Sequence, residues 1–130
     1  MSKGRFYQAG PMSSIPLYNF PAFIEITADL RSQGYEIYSP AEGDLKLGVD
    51  PTKPLDSPEN SLIFNMRETV RRDLREILRS EGIILMPGWQ QSYGCKVELM
   101  VTMWAGLKVF QYIDGKVCVL PNNIDPQVVL

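Results

Sequence analysis

One carboxylate, that of Glu98, stands inside a segment that is otherwise uncharged and strongly apolar. Residues 86–110 predict a turn followed by a helix, and between Val97 and Ala105 no other side chain carries a charge. A carboxylate aimed into a pocket from such a helix can act as a nucleophile or as an acid–base catalyst. It can equally be a helix-edge glutamate whose stem covers apolar surface while its head reaches water. Helix geometry alone does not separate these two interpretations.

Asp73 is a second candidate acid, on the helix predicted over residues 65–80. It lies on the flank of that helix's apolar face, which consists of Met66, Val70, Leu74, Ile77 and Leu78. Its neighbours three and four positions away include no basic residue, whereas Glu68 and Glu76 each have Arg72 four positions away, a spacing that supports ion pairs. Asp73 is therefore expected to lack a partner on its own helix. It is either a catalytic acid or an ordinary solvated aspartate.

Composition narrows the chemistry further. The chain has no histidine, which removes the commonest general base and most zinc sites. Acid–base work then falls to carboxylates, Tyr, Lys or Cys. A net charge of −2 and a pI near 5.1 argue against a nucleic-acid polymer as the partner. We expect a small-molecule ligand with no metal and no cofactor, and a single phosphate on that ligand can be held by backbone amides at a helix N-terminus.

The chain is also expected to form a single domain, residues 1–130, that remains in the cytoplasm. Its length suits one core, and no apolar run approaches the roughly 18 residues of a membrane span. Residues 1–10 lack the apolar core of a signal peptide. Cys95 and Cys118 have no disulfide or metal-ligand spacing, so reduced thiols are expected. Cys95 is either a small packing residue or a reactive thiol near a helix N-terminus.

The order of the predicted elements points to an α/β fold. Strands are predicted at 5–10, 35–40, 82–88, 107–112 and 116–120, and helices at 19–34, at 65–80 and around Glu98. Residues 41–60 hold three Pro and two Gly without a sustained period, which predicts a loop or a lid. Alternating strands and helices are typical of a parallel sheet covered on both faces. We predict a flavodoxin/Rossmann-like three-layer sandwich with a mainly parallel, five-stranded sheet in the order 2-1-3-4-5.

This strand order places a ligand crevice between the first and third strands, where the order reverses. The segments that leave those two strands are residues 9–14 and 86–94, and both are rich in Gly, Pro and small hydroxyl residues. Glu98 follows the second of them by about one helical turn. The topology therefore predicts that Glu98 lies close to the pocket.

Several motifs together resemble the nucleoside 2-deoxyribosyltransferase superfamily, which includes the 2′-deoxynucleoside 5′-phosphate N-hydrolases and the CMP hydrolases. They are YQAGPM near the N-terminus, RDL with Asp73, the spacing Ser92-x-Gly94-x-x-x-Glu98, and AGLKV after it. The forms GPMSSIPLYNFPAF and PGWQQSYG are most similar to a bacterial and phage branch. The resemblance covers most of the chain except the segment at 41–60 and the last ten residues.

The resemblance implies a retaining glycosidase-type mechanism on an N-glycosidic bond. Glu98 would attack C1′ to form a glycosyl-enzyme ester, and Asp73 would protonate or orient the departing base. Tyr7 would hydrogen-bond and position the Glu98 carboxylate. Gly10 would let the backbone approach the sugar. Such a mechanism needs no histidine, because a carboxylate ester splits one difficult displacement into two easier ones.

A 5′-phosphate site is implied as well. Ser92, with the backbone amides of Gly94 and Cys95, would hold the phosphate. A hydroxyl at this position resembles the nucleotide hydrolases, since the transferases usually have an acid there that would repel a phosphate. Those hydrolases tend to carry an Arg shortly after the first glycine, where this chain has Ser13. Ser13 and Ser14 would replace that Arg only in part.

Two further expectations concern base recognition and assembly. Trp89 is expected either to stack on a base or to anchor its loop. Members of the superfamily complete their site across a dimer interface, so a homodimer or another homo-oligomer is expected. Asn122 and Asn123 of the tail would then reach a neighbour's pocket.

Three functions remain open on the sequence. The first is an N-glycosidase that releases the base of a (deoxy)nucleoside 5′-monophosphate, with a base-exchanging deoxyribosyltransferase as its variant. The second is a non-catalytic protein that sequesters or senses a nucleotide, although such a protein would need none of Glu98, Asp73 and Tyr7. A flavodoxin-like flavin carrier is the third, and the first loop lacks the Ser/Thr-rich phosphate cradle that it requires.

Overall fold

A five-stranded sheet forms the centre of the protein, in a computed structural model that describes residues 2–120. Its strands are β1 (Arg5–Ala9), β2 (Glu36–Tyr38), β3 (Gly82–Leu85), β4 (Lys108–Ile113) and β5 (Lys116–Val119). They lie in the order β2-β1-β3-β4-β5, with β5 antiparallel to β4 and the other neighbours parallel. The predicted α/β class, the mainly parallel sheet and the strand order are confirmed.

The helices are α1 (Phe20–Ser32), α2 (Pro40–Leu47), α3 (Pro58–Ser61), α4 (Met66–Leu78) and α5 (Tyr93–Trp104). Short 3₁₀ turns at Pro16–Asn19 and Trp89–Gln91 precede α1 and α5. Within residues 2–120, no helix combines the length and the apolar character that crossing a bilayer requires.

Successive residues of β1 and β3 face opposite helical layers, because side chains alternate along a strand. Phe6 and Ile84 pack with Leu30 of α1 on one face of the sheet. On the other face, the core joins the sheet to α4 and α5, and its members include Tyr7, Ala9, Ile77, Ile83, Leu85, Cys95 and Leu99. The result is a three-layer arrangement in which Tyr7 points towards α4 and α5.

The segment at 41–60 is not the loop that its composition predicts, because it contains most of α2 and most of α3. Ser39 caps α2 by accepting a hydrogen bond from the backbone N–H of Glu42, and Gly48 ends the helix with a φ of 98°. Ser57 caps α3 in the same way. Each helix has a proline in its first turn, where the missing N–H has no intrahelical partner to lose. Prolines that suggest helix breaking in the sequence are helix starts in the structure.

A buried asparagine holds the chain between α2 and α3. The side-chain amide of Asn60 donates to the backbone oxygens of Asp50, Lys53 and Pro54, and its oxygen accepts from the Asp50 N–H. Tyr18, in the turn before α1, donates its hydroxyl proton to the Lys53 carbonyl at 2.9 Å. These bonds satisfy backbone groups that no regular element pairs. They also fix this segment beside the turn that follows β1.

The apolar face predicted for α4 is covered only in part. Ile77 is fully buried, but Met66 and Leu78 are each 59% exposed and Val70 is 46% exposed. Met66 and Val70 border a cavity, so the first turns of α4 do not pack against the core as the periodicity predicts. The apolar face of α4 therefore packs in the core at Ile77 and forms part of the cavity wall nearer the start of the helix.

Candidate functional site

A cavity of about 650 Å³ opens beyond the carboxyl ends of β1 and β3, a size typical of small-molecule sites. Its walls include residues 10–14, which follow β1, and residues 91–95, which follow β3. The opposite wall comes from α2, α4 and the chain between them, through Pro40, Asp44, Leu55, Phe64, Met66, Thr69, Val70, Asp73 and Leu74. The cavity therefore lies where the strand order predicts a crevice.

Tyr7 and Glu98 meet in the wall of this cavity. The Tyr7 hydroxyl donates to Oε2 of Glu98 at 2.5 Å. The Tyr7 side chain is buried and stacks on Tyr38, with 5.8 Å between the ring centroids. Both Tyr7 and Glu98 line the cavity. Of the two interpretations of Glu98, the structure supports the carboxylate directed into a pocket, and it places the Tyr7 hydroxyl where the resemblance implies.

Asp73 lines the same cavity, but it is neither solvated nor without a partner. Arg72, its neighbour in sequence, donates from Nε to Oδ1 of Asp73 at 3.0 Å, and the two side chains are each 15% exposed. The expectation that Asp73 has no partner on its helix is therefore wrong. Adjacent residues point in different directions from a helix, but the arginine side chain is long enough to contact the neighbouring aspartate. The ion pairs expected between Arg72 and the two glutamates do not form. Glu68 pairs with Arg71 instead, and Glu76 pairs with arginines that include Arg5.

Burial raises the pKa of both Glu98 and Asp73. The pKa of Glu98 rises to about 8, because desolvation outweighs the hydrogen bond from Tyr7, and the charge of Asp73 adds to the rise. The pKa of Asp73 rises to about 6, again through burial, while the Arg72 guanidinium opposes the rise. Burial, and then the charge of Glu98, raises the pKa of Tyr7 well above its ordinary value. Tyr7 therefore remains a proton donor at neutral pH.

The charge of Asp73 raises the pKa of Glu98, so the two carboxyl groups titrate as a coupled pair. Between about pH 6 and about pH 8 the pair holds one proton. A reaction that combines a nucleophile with a general acid needs one ionised carboxylate and one protonated carboxylic acid in the same cavity. The arrangement can thus attack an electrophilic carbon and protonate a leaving group without any histidine.

The raised pKa of Glu98 predicts a measurable pH dependence of stability. The ordinary pKa of a glutamate is 4.5, and the pKa of Glu98 in the folded protein is about 8. Between pH 4.5 and about pH 8 the folded state therefore binds more protons than the unfolded state. The free energy of unfolding therefore falls as the pH rises through that window. Glu98→Gln removes this dependence while keeping an acceptor for Tyr7. At pH 8 it should raise the free energy of unfolding by at least about 1 kcal/mol, or the thermal midpoint by roughly 3 °C or more.

Thermal unfolding of the parent protein and Glu98→Gln at pH 4.5, 6 and 8 checks this expectation. The difference between the two midpoints should grow with pH. A constant difference across the range would mean that the Glu98 carboxyl is not held in a desolvated environment.

The serines named from the sequence line the cavity on the segments that follow β1 and β3, and this part of the wall is called the serine end. Ser92 caps α5, and its Oγ accepts from the backbone N–H of Cys95 at 3.2 Å, which leaves its hydroxyl proton free to donate. Ser13, Ser14 and Gly94 line the cavity with it. In the first turn of a helix, N–H groups have no intrahelical acceptor. The Cys95 N–H already bonds Ser92, so it does not offer the phosphate contact that the resemblance implies, and the start of α5 presents its other N–H groups at this end.

Gly10 also lines the cavity, but the structure gives its missing side chain a packing reason. A Cβ at this position would lie 2.5 Å from the sulfur of Met86. Met86 is buried next to the end of β1, where its backbone N–H donates to the Ala9 carbonyl. Gly10 thus permits close packing of the segments after β1 and β3.

Trp89 does not line the cavity. It is 7% exposed and belongs to the core cluster with Leu99, so its burial supports the loop anchor and not the stacking partner of a base. Cys95 is buried, and burial raises the pKa of its thiol to about 12, as expected for a packing residue. Asn123 lies outside the described residues, as does Asn122.

Two charged residues near Asp73, Asp44 and Arg72, were not assigned to the site by sequence reasoning. Asp44 of α2 lines the cavity and is 6% exposed, and Arg72 lies 3.0 Å from its Oδ1. Residue 44 falls in the segment predicted as a loop, so the sequence did not predict which way its side chain faces. Among residues 2–120, neither lysine nor arginine lines the cavity. Over the same range, no group of three or more His, Cys, Asp or Glu residues is placed to hold a metal ion.

Comparison with known proteins assigns the chain to a family without assigning an activity. Residues 4–111 match the family described as Domain of unknown function (DUF4406). No curated protein and no solved structure matches the chain. The matched range contains Tyr7, Asp73 and Glu98, and with them the whole acid pair of the cavity. By this match over most of its length, the chain belongs to the DUF4406 family.

Proposed function

We propose that the protein is an N-glycosidase that cleaves the bond between base and sugar of a (deoxy)nucleoside 5′-monophosphate and releases the free base. One observation carries the proposal: Glu98, held by the Tyr7 hydroxyl at 2.5 Å, shares a cavity with a second acid, Asp73. A binding protein has no need of two desolvated carboxyl groups, whose burial costs stability. The resemblance to the nucleoside 2-deoxyribosyltransferase superfamily names the same residues.

The reaction proceeds in two displacements. In the first, an oxygen of the Glu98 carboxylate forms a bond to C1′ while the bond from C1′ to the base nitrogen breaks, and the base leaves with the proton of Asp73. In the second, water attacks C1′, the ester bond to Glu98 breaks, and a proton of that water passes to Asp73. The carboxylate and the acid are then restored, as in retaining glycosidases.

The proton shared by the two acids must lie on Asp73 when the reaction begins. In the empty cavity it favours Glu98, because the pKa of Glu98 is about 8 and that of Asp73 about 6. Positive charge that develops on the sugar ring in the transition state favours ionised Glu98. The transition state is therefore favoured when the proton lies on Asp73, and activity should be highest between about pH 6 and about pH 8, where the pair holds one proton.

The serine end of the cavity is the proposed site of the 5′-phosphate. Ser92, Ser13 and Ser14 supply hydroxyl donors, and the first turn of α5 supplies backbone N–H groups with a favourable helix dipole. Since the described part of the cavity has no basic side chain, phosphate binding would depend on these neutral donors.

Ser92→Ala is expected to lower kcat/KM for a nucleoside monophosphate by about tenfold or more, because a hydrogen bond to a charged group contributes about 1.5–3 kcal/mol. The value for the matching nucleoside should change little. Ser92→Thr is the control, since threonine keeps both a hydroxyl and the helix cap, whose loss alone costs about 1 kcal/mol of stability. Equal rates for nucleoside and nucleotide in the parent protein would exclude phosphate recognition and favour a transferase that acts on nucleosides.

Base exchange is the second candidate activity. It differs only in the second displacement, where the nitrogen of another base replaces water and gives up its proton to Asp73. The apolar walls of the cavity, with Phe64 and Leu55 among them, favour this variant because they limit the access of water. The rival from another class is a protein that binds nucleotides without cleaving them.

Incubation with a panel of nucleosides and nucleoside monophosphates, with and without a second free base, separates these possibilities. Chromatography should show free base for a hydrolase, and a new nucleoside when the second base is present for a transferase. Binding of nucleotide without either product would identify the sequestering protein.

The proposal includes a homo-oligomer. Exposed apolar side chains at both ends of α5 support it, since Tyr93 is 77% and Trp104 91% exposed. A helix that is apolar on all sides is usually covered on all sides. Self-association would also bring a neighbouring chain near the cavity mouth, which Tyr93 lines.

A further inference from the structure

Arg72 is enclosed between two aspartates that belong to different helices. Its side chain is 15% exposed, and its Nη2 lies 2.9 Å from Oδ1 of Asp73 on α4 and 3.0 Å from Oδ1 of Asp44 on α2. The same nitrogen donates to the Pro40 carbonyl at 3.4 Å. Both aspartates line the cavity. One buried cation thus joins the start of α2 to the acid of α4.

The backbone of α2 is shaped to accept this guanidinium. A Cβ at Gly43 would lie 3.0 Å from Nη1 of Arg72 and 2.6 Å from the Tyr38 hydroxyl. Any side chain at this position would displace Arg72 or Tyr38, so the glycine lets the helix pack directly on the guanidinium. Asp44, the next residue, is 6% exposed, and water therefore does little to weaken its attraction to Arg72.

We propose that Arg72 is a positioning residue, clamped by Asp44, that fixes the orientation and the proton occupancy of Asp73. The inference rests on the proposed function, because it assigns Asp73 the role of acid. An arginine suits this place better than a lysine, since its planar guanidinium directs several N–H groups in fixed directions and can bond two carboxylates at once. A lysine would offer one compact charge on a flexible stem.

The two charged neighbours of Asp73, Arg72 and Asp44, shift its pKa in opposite directions. Arg72 lowers the pKa of Asp73, whereas the negative charge of Asp44 raises it. The other titratable groups around this cluster are Tyr7 on β1, Tyr38 on β2 and Glu98 on α5. Tyr7 and Tyr38 are uncharged at neutral pH because their pKa values are raised. Removal of Arg72 or of Asp44 should therefore move the titration of Asp73 in opposite directions.

The test is a ¹³C NMR titration of the Asp73 carboxyl carbon, assigned by its loss in Asp73→Asn. In Arg72→Gln the pKa of Asp73 should rise by about one unit or more, as expected when a neighbouring arginine is removed. In Asp44→Asn, which keeps Arg72, it should fall. Arg72→Lys should give a value between those of the parent and Arg72→Gln. An unchanged or lowered pKa in Arg72→Gln, with the backbone spectrum still that of the folded protein, would overturn the inference.

Arg72→Lys keeps the inference testable if Arg72→Gln does not fold, since an Asp73 pKa at or below that of the parent in that variant also contradicts it. The titration needs no substrate, so it stands apart from the proposed function. If the parent protein releases no base, the proposed function fails while the titration still decides the role of Arg72. If the parent releases base and the Asp73 titration does not move, only the role of Arg72 fails.

Discussion

Glu98→Ala should lower the rate of base release by at least about 10³-fold, which corresponds to about 4 kcal/mol of activation free energy. The substitution removes the oxygen that is proposed to bond C1′ and the carboxylate to which the Tyr7 hydroxyl donates. Folding should survive, because alanine is the better helix former and the change removes a desolvated carboxyl group. Initial rates of base release, measured by chromatography at pH 7, check this expectation.

The chain offers a matched control for this variant. Glu68 lies on a helix, is 61% exposed and does not line the cavity, so Glu68→Ala removes a glutamate without touching the site and should keep the parental rate. Glu98→Gln should be as inactive as Glu98→Ala although it retains an acceptor for Tyr7. Parental activity in either Glu98 variant would show that this carboxylate is not the nucleophile.

Asp73→Asn should slow cleavage by about 10²-fold or more, the usual contribution of a general acid. Because the pair loses its shared proton above about pH 8, the rate of the parent should fall on the alkaline side, and this variant should lose that alkaline limb of the pH–rate profile. Substrates whose base leaves without protonation should suffer less, since they do not need the acid. The measurement is kcat/KM from pH 5 to pH 9 for parent and variant.

Asp56→Asn is the control for Asp73, because Asp56 is exposed and lies outside the cavity. It should leave both the rate and the pH profile unchanged. A drop in thermal midpoint for Asp73→Asn with activity intact would instead mark Asp73 as a structural partner of Arg72.

The fold was largely predictable, since it depends on patterns that local sequence carries. The apolar run at 82–88 predicts the central strand, observed at Gly82–Leu85, because a strand buried on both faces has no polar alternation. Pro21 and Gly34 bracket the helix observed at Phe20–Ser32 by ordinary start and stop preferences. The strand order then follows from the few ways in which alternating strands and helices connect.

The segment at 41–60 was not predictable by the same means. Its two helices are short, and they depend on caps at Ser39 and Ser57 and on the buried bonds of Asn60. A helix of one or two turns shows no sustained period, so its prolines and glycines dominate the pattern. These elements are stabilised by contacts distant in sequence, which local propensity does not contain.

The position of Glu98 at the cavity was predictable from the local pattern, whereas Tyr7 was named only through the family resemblance and the surroundings of Asp73 were predicted less well. A lone carboxylate in an apolar helix can be recognised in the sequence, and the predicted topology brings the start of that helix to the end of β1. The partner of Asp73 was missed because helix spacing rules consider residues three and four apart, whereas Arg72 is adjacent in sequence and is fixed by Asp44 from another helix. The role of Trp89 was ambiguous because the residues next to it in sequence do not indicate whether its side chain is buried.

The most direct test of the account is to look for the glycosyl ester on Glu98. A 2-deoxy-2-fluoro nucleotide analogue should slow both displacements, because the fluorine destabilises the positive charge of the transition state, and so allow the ester to accumulate. Mass spectrometry of the intact protein should then show one added fluorosugar phosphate in the parent and none in Glu98→Gln, and peptide mapping should place it on Glu98. Release of base from natural substrate with no adduct on Glu98, or with the adduct on another residue, would contradict the account.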